Sequence, residues 1–307
     1  MSERVLVTGA SGFIGPHVVA GLRARGYSIR VAQRREGPAD EGIERVMIGD
    51  LSGPVDWRRA VAGIRHVVHL AGLAHAGPGL DESLYRRINT EATLALAQAA
   101  RQAGAARFIY VSSIKALTGA FNGHFRESDP PAPDDAYGRS KLAAEQGLAA
   151  LDLDWISLRP VLVYGPGVKA NMASLLKLAR LPIPLPLGGL DVPRSLLAIE
   201  NLVDAILFAL TSACPARRSY TVADPEPVSV AEMIAAMRSG LGRRPGLLPI
   251  PAALLKQAAR LAGKEQAFAK LSGGLVARPE GLIRAGWRPP AATLPALAQL
   301  AAAADAV

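Results

Sequence analysis

The feature that most constrains this chain is an apolar strand running straight into a glycine turn. Val5, Leu6 and Val7 are followed by Gly9, Gly12 and Gly15 at the spacing G-x-x-G-x-x-G. The apolar run reads as a buried strand and the residues beyond it as a helix. One glycine permits the tight turn, one lets backbone approach a pyrophosphate, and one lets the helix pack on the strand. Backbone N–H groups at the new helix N-terminus then face the phosphates. The spacing is not the G-x-G-x-x-G fingerprint, and glycine triplets also occur in ordinary strand-to-helix turns. Its place after the first strand favours a dinucleotide cradle that includes Ser11, Phe13 and Ile14.

The same alternation continues along the chain. Residues 16–26 read as a helix with Val18, Val19 and Leu22 on one face and Gly26 as its stop. Ser28 to Ala32 reads as the second strand, ending at Gln33-Arg34-Arg35. An acidic side chain here would suit the ribose hydroxyls of NAD, whereas arginine accommodates the 2′-phosphate of NADP. With Gln33 and Arg34 in place, NADP is favoured over NAD, the alternative being an exposed loop. Val46 to Ile48 is a third strand, followed by Asp50 and Leu51 near the adenine. A short helix over 54–62 leads to a fourth strand from His66 to Ala71. Leu70, Ala71 and Gly72 at its end lie against the nicotinamide side of the cofactor. His69, inside the run, reads as a packed core residue, and the five histidines lack the paired spacing of metal ligands.

Residues 81–103 carry continuous helical spacing, with Asn89 positioned to brace the site. Phe108 to Val111 is the fifth strand and ends in Ser112-Ser113. Ligands sit at such carboxyl ends of a parallel sheet. After a proline- and aspartate-rich loop, Asp134 or Asp135 caps a helix carrying Tyr137 and Lys141. Four residues apart, the two share a face. An ammonium beside a phenol lowers its pKa from about 10, which suits a general acid/base near neutral pH. Trp155 to Leu158 is a sixth strand, and Pro160 and Val163 after it are expected against the cofactor together with Asn89 and Val111. Strands alternating with helices predict an α/β fold, a doubly wound parallel sheet with a smaller, mostly helical second domain.

The 307 residues allow one large core or two unequal domains. Composition shifts towards proline, glycine and leucine at 166–193. The expected division is therefore 1–165 with 194–224 for the dinucleotide, and 166–193 with 225–307 for the substrate. Ser195 to Ile199 and Tyr220 to Ala223 read as strands, 200–210 as a helix and 291–307 as a terminal helix. Segment 252–271 reads as one basic amphipathic helix. Such a helix covers a core or a partner subunit, or lies on a membrane surface. The net charge is +9, but aromatic content is 5% and no basic block interleaves with aromatics, which argues against nucleic acid as a partner. No apolar run has the length of a membrane span. Neither a signal peptide nor a disulfide is expected; the single cysteine, Cys214, fits a reducing cytoplasm.

Together these residues resemble the extended short-chain dehydrogenase/reductase family of nucleotide-sugar epimerases and dehydratases. The carriers are Gly9/Gly12/Gly15, Gly49-Asp50-Leu51, Leu70-Ala71-Gly72, Asn89 with Thr93, Ser112-Ser113, Tyr137 with Lys141, Arg159-Pro160, Tyr164-Gly165 and Gly286-Trp287-Arg288-Pro289. Val111-Ser112-Ser113-Ile114-Lys115, Gly167 to Asn171 and Arg194-Ser195-Leu196 look most like bacterial enzymes acting at C4 of UDP-activated amino- or deoxysugars. The resemblance implies that Tyr137 moves the proton, Ser113 hydrogen-bonds the sugar oxygen and Lys141 holds the nicotinamide ribose. It also implies that Lys115, Asn171 and Arg194 contact a UDP-linked sugar, and that the chain forms a homodimer. A 4-keto reductase is favoured over a 4-epimerase with bound NAD. A non-catalytic cofactor binder and a reductase of a hydrophobic alcohol are the further alternatives.

Overall fold

In a computed structural model the chain is described over residues 2–35, 42–74, 80–120, 122–168 and 170–305. Alternating strands and helices run β1 (Arg4–Thr8), α1 (Gly15–Ala24), β2 (Ser28–Gln33), β3 (Ile43–Met47), α2 (Arg58–Val61) and β4 (His66–His69). Next come α3 (Glu82–Tyr85), a π-helical turn at Arg86–Glu91, α4 (Ala92–Gln102) and β5 (Arg107–Val111). They continue with β6 (Gly123–Phe125), α5 (Ala136–Ala149), β7 (Trp155–Pro160) and β8 (Leu162–Tyr164). The remainder is α6 (Ala170–Ala179), β9 (Leu196–Ala198), α7 (Ile199–Ala209), β10 (Arg218–Val222), α8 (Val230–Gly240), α9 (Ala252–Leu261), α10 (Glu265–Ser272), β11 (Leu275–Ala277), α11 (Glu280–Arg284) and α12 (Thr293–Asp305).

Seven strands form one parallel sheet in the order β10-β7-β5-β4-β1-β2-β3. The order reverses between β1 and β4, the switch point where such sheets leave a crevice. Both faces of the sheet are covered. Val5, Val7, Val68, Ile109 and Ile156 pack with α1 and α7, while Leu6, Val67, Phe108 and Tyr110 pack with α4 and α5. Burial on both faces is why the strands read as continuous apolar runs rather than as an alternation. A third core joins Tyr164 and α6 to Met233 and Met237 of α8 and Leu297 and Leu300 of α12. The two-stranded pairs β6–β11 and β8–β9 stand outside the main sheet.

Several elements differ from the sequence expectation. β3 begins at Ile43, and the helix expected over 54–62 is confined to Arg58–Val61. The helix expected over 81–103 is interrupted by the π-helical turn. The single helix expected over 252–271 is two, broken at Gly263, whose φ of +66° an α-helix does not accept.

Candidate active site

The site lies along the carboxyl ends of β1, β4, β5 and β7. Gly9, at the end of β1, has φ +71°, and a Cβ there would stand 2.6 Å from Ala71 N. The β1 turn and the β4 end therefore touch backbone to backbone. Gly12 N donates to Gly9 O at 3.1 Å and closes the turn, and α1 starts at Gly15 with Pro16 in its first turn. Gly12, Phe13, Ile14 and Gly15 at that helix start line the cleft, where an anion cradle would present its N–H groups. A Cβ at Gly72 would meet Asn89 Oδ1 at 2.9 Å and Lys141 Nζ at 3.3 Å. The cradle is thus shaped for a dinucleotide backbone, and the residues present fit one.

At the carboxyl end of β2, Gln33 closes the strand and Arg34 Nη1 lies 3.4 Å from Asp50 Oδ2. Asp50 Oδ1 accepts from Ser52 N at 2.8 Å. The Ser52 hydrogen bonds, with help from Arg34, hold its carboxyl below the usual range. No carboxylate follows Gln33 directly on this strand end.

The reactive centre is built by α5 docking on the turn after β5. Asp135 caps α5, its Oδ1 accepting from Gly138 N at 2.6 Å. A Cβ at Gly138 would lie 2.4 Å from Lys115 O, so α5 can approach this turn only with glycine there. That approach brings Tyr137 beside Ser113, whose hydroxyl acts to lower the pKa of the phenol. Ser113 Oγ also accepts from Lys115 N at 3.2 Å. Lys115 Nζ donates to Gly119 O at 3.0 Å and stands 3.8 Å from Asp135 Oδ2. One turn beyond Tyr137, the buried Lys141 donates to Val111 O at 3.0 Å. Its Nζ lies 4.7 Å from the Tyr110 ring centre and 5.9 Å from that of Tyr137.

The expected direction of the tyrosine pKa is corrected here. Burial pushes the Tyr137 phenol above its ordinary value, and Ser113 only partly offsets this. Lys141 does not reverse it: burial lowers its own ammonium to about 8, and it donates a hydrogen bond to Val111 O. The phenol therefore keeps its proton at neutral pH.

Asn89 sits on the π-helical turn, an irregularity that often marks functional positions. Its Oδ1 accepts from Leu73 N at 2.7 Å, and its Nδ2 donates to Leu73 O and Ser140 Oγ, each at 3.0 Å. Through these bonds Asn89 ties the segment after β4 to α5. His69, buried between Thr8 Oγ1 at 2.6 Å and Thr93 Oγ1 at 2.9 Å, is kept neutral by burial, which lowers it to about 3.

Around the centre lies a cleft of about 1730 Å³. It gathers Gly9, Gly12, Phe13, Ile14, Leu70, Gly72, Val111, Ser113, Lys115, Tyr137, Lys141, Pro160, Val163 and Arg194 from the expected set. Ser11, Gln33, Arg34, Asp50, Leu51, Ala71 and Asn89 do not line it. Asn171 lies on α6, its side chain outside the described residues. Arg194 faces the cleft but donates through Nη2 to the carbonyls of Leu271 and Gly273, so it fastens the end of α10. Sequence reasoning missed Tyr85, whose ring centre is 6.4 Å from that of Tyr137. Its position one helical turn before Asn89 was the available signal. It also missed Leu175, Met233, Leu271 and Leu275, which line the outer cleft and come from segments distant in sequence.

Residues 5–223 match the NAD dependent epimerase/dehydratase family. Over 94% of its length the chain is 36% identical to a UDP-glucose 4-epimerase of Vibrio cholerae, of which 92% is covered. A ceramide reductase of Caulobacter vibrioides is 35% identical over 58% of this chain and 52% of its own. Among solved structures, MoeE5 in complex with UDP-glucose and NAD superposes with a TM-score of 0.72 at 27% identity, over 97% of each chain.

Proposed function

This chain belongs to the NAD dependent epimerase/dehydratase family, and on that premise we propose that it reduces the C4 ketone of a UDP-linked deoxy- or aminosugar. A nicotinamide dinucleotide, when bound, supplies the hydride to C4. The observation that carries the reading is the cleft that sets Tyr137 and Lys141 of α5 beside Ser113, and the reducing direction is supported by Gln33 and Arg34, which suit a dissociable NADP. A protonated phenol is ready to donate to the C4 oxygen as the carbon is reduced. Ser113 shares that oxygen and stabilises the charge developing on it. Lys141 holds the nicotinamide ribose, and Lys115, joined to Asp135, borders the sugar. Gly9, Gly12, Phe13 and Ile14 hold the pyrophosphate, Leu70, Gly72, Val111, Pro160 and Val163 the nicotinamide half, and Gln33, Arg34, Asp50 and Leu51 the adenosine half.

Asn171 and Arg194 take the diphosphate in this reading, for which Arg194 must exchange the Leu271 and Gly273 carbonyls for phosphate oxygens. The UDP assignment draws on the UDP-glucose bound by MoeE5 and on the name of the Vibrio relative. The proposed division of labour keeps 1–165 with 194–224 on the cofactor side and 166–193 with 225–307 on the substrate side. NADP is the proposed partner, because Gln33 offers no carboxylate to the adenosine ribose and Arg34 stands beside it. A second reading, a UDP-sugar 4-epimerase that retains NAD, is favoured by the 36% identity to the Vibrio enzyme.

The experiment is to denature the purified protein, identify any dinucleotide released, and then supply a UDP-4-keto-6-deoxysugar with NADPH. The reductase predicts an empty site and stoichiometric NADPH oxidation. Co-purified NAD, with UDP-glucose and UDP-galactose interconverted and no net cofactor consumed, would replace it by the epimerase.

A further inference from the structure

An apolar surface that no core takes up borders the outer end of the cleft. Leu181, Ile183, Leu248, Leu254 and Leu261 are 40%, 57%, 46%, 55% and 90% exposed. Leu181-Pro182-Ile183-Pro184 is exposed at every residue. This segment runs beside 245–250. Leu185 N donates to Gly246 O at 2.9 Å and Leu248 N to Leu185 O at 2.8 Å. Arg238 binds the carbonyls of Leu181, Ile183, Pro245 and Gly246, so the two segments form one tied lip. The lip continues through Pro251 into α9, none of whose residues is buried. Ala252 and Leu255 face the third core, which leaves Leu254, Ala258 and Leu261 at i, i+4 and i+7 on the outward side. Gly263 and Lys264, just past α9, line the cleft.

Charge surrounds these leucines with one sign. Between residues 243 and 265 the chain carries Arg243, Arg244, Lys256, Arg260 and Lys264, all exposed, against the single carboxylate of Glu265. Leucines flanked by lysine and arginine suit an anionic headgroup layer. Among the described residues no helix is long and apolar enough to cross a membrane, so such contact is made from one side.

We propose that this lip and the outward face of α9 dock on the surface of an anionic phospholipid bilayer, with the mouth of the cleft beside the headgroups. The docking needs neither the cofactor nor the sugar and stands apart from the catalytic reading.

The test is flotation of the full chain with phosphatidylcholine vesicles, with and without phosphatidylglycerol. Binding is expected with the anionic vesicles alone, weakening in high salt and by about fivefold for each cation neutralised, as in Lys256→Gln or Arg260→Gln. The double variant Leu254→Asp/Leu261→Asp should lose vesicle binding while keeping its melting temperature and NADPH affinity, since both side chains are exposed. Absence of binding to anionic vesicles, or equal binding by the double variant, would overturn the proposal. So would a dimer that dissociates in the double variant while vesicles are ignored, which would make a second copy the occupant.

Discussion

Removing the Asn89 amide tests whether the π-helical turn holds the site together. In Asn89→Ala, Leu73 N loses its acceptor, and Leu73 O and Ser140 Oγ lose their donor, at distances of 2.7, 3.0 and 3.0 Å. Ser140 keeps its bond to Tyr137 O at 2.7 Å, so the α5 side survives and the β4 end is released. Three hydrogen bonds at about 1 kcal/mol each amount to a loss of about 3 kcal/mol. For a chain of this size that lowers Tm by about 5 °C. Gly72 rests against both the Asn89 amide and Lys141 Nζ, so the nicotinamide wall also loosens. The assays are thermal unfolding of the ligand-free protein and NADPH titration. The melting temperature should fall, and NADPH affinity should weaken about tenfold or more. A fall of under about 1 °C with unchanged affinity would show that Leu73 is held by other means, and the bracing argument would fail.

Three further outcomes follow from the same geometry. Gly138→Ala places a methyl 2.4 Å from Lys115 O and must lift α5, with Tyr137 and Lys141, off its turn; kcat should drop about 10²-fold or more, and unaltered kcat would contradict the close approach. Burial lowers Lys141 from its usual 10.5 to about 8, so between those pH values the unfolded chain holds a proton that the folded one has released. Stability relative to Lys141→Met should therefore rise with pH across that window, by about 3 kcal/mol in total, and show no such slope below pH 8; urea unfolding at several pH values measures it, and a flat difference would place the ammonium in a solvated setting. Gln33→Asp should shift preference from NADPH towards NADH by about tenfold, read as a ratio of Kd values, and an unchanged ratio would remove Gln33 from the adenosine site.

Much of the fold was legible because its signals are local. The apolar run into Gly9, the Asp135 cap and the one-turn spacing of Tyr137 and Lys141 each depend on neighbours within a few residues. What was hidden depends on distant partners or on small backbone changes. A π-helical turn inserts one residue into the ladder while the apolar spacing of 81–103 barely changes, so Asn89 was visible but its interruption was not. Gly263 is a helix stop that the amphipathic pattern of 252–271 obscured. Arg194 was legible as a cation near the cleft, but its carbonyl partners at Leu271 and Gly273 lie more than 75 residues away. The phenol's pKa failed for the same reason. Spacing places Lys141 beside Tyr137, but burial of both groups, which tertiary packing alone sets, decides the direction.

The central claim is that the Tyr137 phenol delivers a proton to an oxygen whose carbon receives hydride. It is tested most directly by single-turnover NADPH oxidation with Tyr137→Phe and a UDP-4-keto sugar, alongside the NADPH Kd of the variant. The account predicts a rate reduced by about 10²–10⁴-fold with the Kd nearly unchanged. Hydride transfer at the wild-type rate in the variant would contradict it.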